Sequence, residues 1–194
     1  MTGNELLAEF DGIAANDLDP LATTTAAKLA LLTIAARRVM HLLKIIRRSV
    51  PLAYVDGTTR YNLMSLSTPL DEANRVKLNS TDYPRSADAD GKGWNQVDDF
   101  IDLFFEAQNG DIIYIDGYQS SLPITASATQ ITDVPADLHL AVVQLAIVEG
   151  CVAHEDDPGQ LTRLQRLERT ALDKINRRIG KNASTAFAFI NSRT

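Results

Sequence analysis

The chain has 194 residues, 45% apolar and 23% charged, with a formal net charge of −6. This is enough for one sizeable core and a second small lobe, in the composition of an ordinary globular protein rather than a disordered or fibrous one. The acidity argues against a generic polyanion binder and is unevenly spread: residues 51–133 carry five Lys/Arg against thirteen Asp/Glu, while 1–50 and 134–194 are each one positive.

A single cysteine, Cys151, excludes an intrachain disulfide and a cysteine-rich metal site. The N-terminal MTGNELLAEF is polar and acidic, unlike a secretory signal. Apolar stretches are broken by Arg37, Arg38, Lys44 or Glu149 before they reach bilayer length. The expectation is no membrane segment, in a protein of the cytosol or of an assembly built there.

In chain order, Asn4 to Ala15 reads as a short helix with Leu6, Leu7, Phe10 and Ile13 on one side. Asp19-Pro20 then opens a long helix, Leu21–Arg48, about 42 Å at 1.5 Å per residue. Leu29, Leu32, Ala36, Val39, Leu43 and Ile46 recur along it every three or four positions. From Pro51 the period changes, and LAYV-DG-TTRYNL predicts a hairpin turning at Asp56-Gly57. Residues 65–93 are turn-rich and polar, with room for a short strand at Val76 and Leu78. Phe100–Gln108, Asp111–Ile115 and Tyr118–Ile124 read as three antiparallel strands joined at Asn109-Gly110 and Asp116-Gly117.

Val134 to Ile179 reads as a helical hairpin, with Asp133 as N-cap and Pro135 in the first turn. Leu138, Val142, Leu145, Val148 and Val152 mark one face of its first helix; Leu140, Val143, Ile147 and Cys151 mark the other. A helix apolar all round must be buried on both sides. After Glu155-Asp156-Asp157, Pro158 starts a second helix whose stripe is Leu161, Leu164, Leu167, Ala171, Leu172, Ile175 and Ile179, ending at Gly180. The fold class expected is mainly α: a helical bundle of two N-terminal plus two C-terminal helices with an inserted antiparallel β meander. The bundle takes 1–50 and 134–180, the β-rich inserted lobe 51–133, and a C-terminal extension 181–194.

Catalytic constellations are not found. Gly91-Lys92-Gly93 lacks the Ser/Thr of a phosphate loop, and His41, His139 and His154 lack metal-ligand spacing. Glu155-Asp156-Asp157 and Asp98, Asp99 and Asp102 offer carboxylates to a divalent cation, but adjacent acids at turns read first as solvated caps. No catalytic residue, metal or cofactor is assigned, and the chain reads as a non-enzyme. On the last helix the basic positions alternate with Glu168 and Asp173, so i,i+4 ion pairs account for them without nucleic acid. Trp94, in a Gly-rich polar stretch, is not part of a stacking platform.

The order of helices, β-rich middle and helices resembles the head-to-tail adaptor (head completion) proteins of tailed bacteriophages. The likeness is densest in Thr125–Ile179, at the entry Ile131-Thr132-Asp133-Val134-Pro135-Ala136-Asp137 and the acidic turn Glu155-Asp156-Asp157-Pro158. It implies a structural virion protein of the neck, assembled in the host cytoplasm into a ring of twelve copies beneath the portal protein. Such a ring extends the DNA channel, lets DNA pass without sequence-specific binding, and offers a lower surface to tail or stopper proteins. Carried onto this chain, Phe187, Phe189, Ile190 and Arg193 become portal-binding candidates on the C-terminal extension. Leu140, Val143 and Ile147 become ring-interface candidates, and Asp98, Asp99 and Asp102 channel- or tail-facing acids. The alternatives are a non-catalytic helical scaffold or regulatory interaction protein, and an enzyme using Asp98, Asp99 and Asp102 with a metal.

Overall fold

A computed structural model describes residues 1–15, 24–44, 47–79, 81–85, 92–105, 107–151 and 158–191. The helices are α1 (Gly3–Ala14), α2 (Thr25–Leu43), α3 (His139–Gly150) and α4 (Pro158–Asn191). The strands are β1 (Arg47–Ala53), β2 (Arg60–Asn62), β3 (Leu70–Leu78), β4 (Thr81–Tyr83), β5 (Trp94–Val97), β6 (Phe100–Leu103) and β7 (Ile112–Gln119). The chain divides into a helical unit, Met1–Leu43 with Ser121–Thr194, and a β unit, Lys44–Ser120. The expected mainly-α class is therefore corrected: the protein is mixed α and β, with two antiparallel sheets. Nor do the helices form a bundle of N-terminal and C-terminal pairs. The most extensive helix packing is of α3 against α2 and α4, with α1 also on α3.

That arrangement follows from α3 itself. Ala141, Val142, Val143, Leu145, Ala146 and Ile147 are all buried, so its own chain covers most of its circumference, Leu140 being the exposed exception. Gly150 lets α2 approach: a Cβ there would lie 2.3 Å from Leu31 Cδ1. From α2 come Leu32, Ala35, Ala36, Val39, Met40 and Leu43, and from α4 Leu164, Ala171 and Ile175. Arg38 ties the three helices together, its guanidinium donating to Glu149 at 3.1 Å and to Glu168 at 3.2 Å. Those two carboxylates raise its pKa, the Glu149 hydrogen bond contributing most.

Several helix ends differ from expectation. The first helix begins one residue early because Thr2 and Glu5 form a capping box. Asp133 does not cap α3, which is entered through a 3₁₀ turn at Ala136–Leu138. Its carboxylate instead accepts from Ser121 Oγ at 2.9 Å and Leu122 N at 2.7 Å, pinning the return from the β unit. His139 is a core residue whose Nε2 meets the Val134 carbonyl at 3.0 Å. A carbonyl only accepts, so Nε2 carries the proton, and Nδ1 accepts from the Met1 ammonium at 2.8 Å. The long N-terminal helix stops at Leu43, and Arg47 and Arg48 belong to β1 rather than to a helix end. Gly180 is no cap: α4 runs through it to Asn191, 34 residues in all. Asp19, Pro20 and the acidic turn Glu155-Asp156-Asp157 lie outside the described residues.

In the β unit a four-stranded sheet, β1-β7-β3-β4, packs by its apolar face on a three-stranded sheet, β2-β6-β5. Val50, Val76, Ile113 and Ile115 from the first and Trp94, Ile101 and Leu103 from the second form the core. The predicted hairpin at Asp56-Gly57 is corrected. The turn exists, with Gly57 at φ +76°, but its arms part: β1 pairs with β7 and β2 with β6. The stretch read as a polar loop holds β3 and β4, and Trp94 is a core residue, its Nε1 donating to Tyr83 O at 3.0 Å. Asn109-Gly110 turns as expected, Gly110 at φ +91°, whereas Asp116-Gly117 lies in mid-strand within β7.

Gly117 is needed there because β3 bulges against it. The β3–β7 register slips between Leu70 and Glu72 and again between Ala73 and Arg75. A bulge strands backbone groups that still require partners. Gln96, from the other sheet, supplies them: Oε1 accepts from Ala73 N at 2.8 Å, and Nε2 donates to Asp71 O at 3.0 Å and Asp98 O at 2.9 Å.

Candidate interaction surfaces

The residues singled out from sequence do not gather into one site. Asp98 and Asp99 are exposed on the turn between β5 and β6, Asp98 in the left-handed region at φ +53°. Asp102 lies on the outer face of the three-stranded sheet, 3.5 Å from Arg60 Nε. Among the described residues no three His, Cys, Asp or Glu side chains converge as a metal group would require. No described helix is long and apolar enough to cross a membrane.

Of the ring-interface candidates, Val143 and Ile147 are at 0% exposure within the helical unit itself, whereas Leu140 is 37% exposed. The two buried side chains are covered by the chain's own helices, and of the three Leu140 alone is at the surface. Phe187, Phe189 and Ile190 fall on the last turns of α4, where only the helical backbone is described, and Arg193 lies outside the described residues. Instead of a spacer and a separate anchor, residues 181–191 continue α4 without a break.

Two surfaces escaped the sequence reading. One is a groove of about 630 Å³ on the β unit, lined by Arg48, Ser49, Asn74, Arg75, Asp116 and Tyr118. Its cations have partners in the wall: Arg75 holds Asp116 at 2.7 Å and Arg48 Nε donates to Gln119 at 3.0 Å. Burial works against the charged form of Asp116. Hydrogen bonds from Ser49 and Arg75, with the charges of Arg75 and Lys77, outweigh it and hold the carboxyl below its ordinary value. A depressed carboxyl contributes stability above its unfolded pKa and loses it as pH falls through the folded one. Asp116→Asn is therefore expected to cost about 1 kcal/mol at pH 7. The gap from the parent should close as pH falls below about 4, in urea unfolding run at both pH values. The groove became visible only once Asp116 was seen as a strand residue.

The other surface is the solvent side of α4. Over Pro158–Asn191 the helix carries seven Lys/Arg against two Asp/Glu. The assumption that Glu168 neutralises its neighbours is corrected, because Glu168 is engaged by Arg38 of α2. A partner 130 residues away leaves no local sequence signal. Exposed apolar side chains also occur, among them Ile34, Leu122, Leu161 and Ile179, spread over several elements.

No protein-family model matches the chain, and no curated protein matches it.

Proposed function

We propose that the protein is a structural subunit of the neck of a tailed bacteriophage, an adaptor that docks beneath the portal and presents a new surface to tail or stopper proteins. The observation that carries this reading is the division of the chain: a closed helical unit, a self-contained β unit inserted between α2 and α3, and a helix that extends past its last described buried residue. Ile175 is the last buried position among the described side chains of α4, and the helical backbone continues for sixteen residues to Asn191, about 24 Å further. A segment of that length, with Phe187, Phe189 and Ile190 at its end, supplies an arm for a partner ring. The motifs at Ile131–Asp137 and Glu155–Pro158 add the family likeness. No step of chemistry is assigned to the chain, and DNA passes such a ring without sequence readout.

The test is mass measurement of the protein alone and mixed with the portal protein encoded in the same genome. Intact protein should form a larger complex. A chain truncated before Lys181 should keep its helical signal, having lost no described core residue, and fail to form it. Absence of any complex with the intact chain overturns the adaptor reading in favour of a helical interaction protein with other partners. Equal binding by the truncated chain removes the role of the arm.

A further inference from the structure

The solvent side of α4 from Arg166 to Lys181 is the most one-sided charged surface among the described residues of the helical unit. The buried positions Leu164, Ala171 and Ile175 set the inner face. At 100° per residue, Arg166, Arg169 and Arg177 lie opposite it and Lys174 and Lys181 on its flank, with Asp173 the one carboxylate among them. Arg166, Arg169, Arg177 and Lys181 are exposed and Lys174 half-buried. Glu168 is turned away and held by Arg38, and Arg178 reaches Asp137 at 3.2 Å, so neither belongs to this face.

We infer that this face binds the phosphodiester backbone of nucleic acid without sequence preference. Two features favour phosphate over an acidic protein surface. First, the face carries cations, Asp173, Thr162, Thr170 and Gly180 but no large apolar side chain: the exposed Leu161 and Ile179 lie to one side of it, about 80° round the helix from Arg169. A protein interface needs an apolar core, whereas nucleic-acid interfaces are polar and strongly positive. Second, the cations form a line. Arg166 to Lys181 spans about 22 Å of helix, over which duplex DNA presents about thirteen phosphates at one per 1.7 Å. The rest of the chain is acidic, with eight Lys/Arg against twelve Asp/Glu in residues 44–120, so only an approach through α4 is favourable. The inference is independent of the neck reading, since it concerns the free chain and uses no portal.

The experiment is fluorescence anisotropy of a labelled 20-base-pair duplex of arbitrary sequence titrated with the full-length protein at 50 mM to 200 mM salt. Binding should weaken with salt at a log–log slope of about −3 to −4, as about four neutralised phosphates require. Arg166→Glu with Arg177→Glu, both exposed and outside the core, should weaken binding more than tenfold with an unchanged circular dichroism spectrum. Asp173→Asn should tighten it severalfold. No binding at 50 mM salt, or equal binding by the double variant, overturns the inference. So does self-association of the parent that the double variant abolishes while DNA binding is absent; that result assigns the face to the acidic β unit of a second copy.

Discussion

Ile147→Asp is expected to unfold the helical unit rather than yield a folded chain that merely fails to associate. Ile147 is fully buried on α3, whose circumference is closed by α1, α2 and α4. The cation bonded to α3, Arg38, already serves Glu149 and Glu168. Burying an unpaired charge costs more than about 4 kcal/mol, a large part of the 5–15 kcal/mol that holds a domain folded. Leu140→Asp, at a 37% exposed position of the same helix, is the control and should stay within about 1 kcal/mol of the parent. Circular dichroism and urea unfolding distinguish the two. A helical, cooperatively folding Ile147→Asp chain would show that this side of α3 is not the core.

The contrast states what α3 revealed in sequence and what it did not. Its all-round apolar pattern identified a helix covered on every side, and the structure covers it. Whether the second covering layer comes from the same chain or from a neighbour leaves the same residues apolar, because burial in either setting selects the same side chains. The decision rested on α2 covering α3 together with its sequence neighbour α4; the α2 contacts, among them Leu31 against Gly150, join residues over a hundred positions apart. Leu140 is the one exposed residue of α3, with Val148 and Glu149 half-buried. The basic side of α4 was hidden for a related reason: Glu168 counted as a local counter-charge in sequence, but it has no basic residue three or four positions away and pairs with Arg38 of α2.

Errors in the β unit have a different origin. Three Asx-Gly pairs looked alike, at Asp56, Asn109 and Asp116, and the local propensity is the same for each. Gly57 and Gly110 have positive φ and make turns; Gly117 does not and continues a strand. After Gly57 the chain leaves its sheet for the other, so a correct turn joined the wrong strands. Gly180 shows the same limit in a helix: glycine costs about 1 kcal/mol there but does not by itself end one. Strand pairing is set by which apolar faces meet, and the residues that decide it here, Trp94 with Ile101 against Ile113 with Ile115, stand at separate points of the chain.

Gly117→Ala is expected to destabilise the β unit by about 2–3 kcal/mol, through crowding rather than backbone strain. The added Cβ would stand 2.3 Å from the Glu72 carbonyl oxygen and 3.2 Å from Leu70 Cδ1. The first is backbone and cannot turn aside as a side chain would. Nor can β3 easily retreat, since the bulges on either side of Ala73 are fastened by Gln96 from the opposite sheet. The strands must separate or the bulge must shift, and either breaks hydrogen bonds of the central ladder. Gly12→Ala has the opposite sign: nothing lies within 4 Å of its added Cβ, the position is exposed in α1, and a gain of about 0.5–1 kcal/mol is expected. Trp94, the only tryptophan, is buried in the β unit and reports its unfolding by fluorescence. In urea its transition should fall to lower denaturant in Gly117→Ala. Gln96→Leu should move it the same way, since it strips partners from Ala73 N–H and the Asp71 and Asp98 carbonyls. If Gly117→Ala unfolds with the parent, β3 and β7 are not held at this spacing.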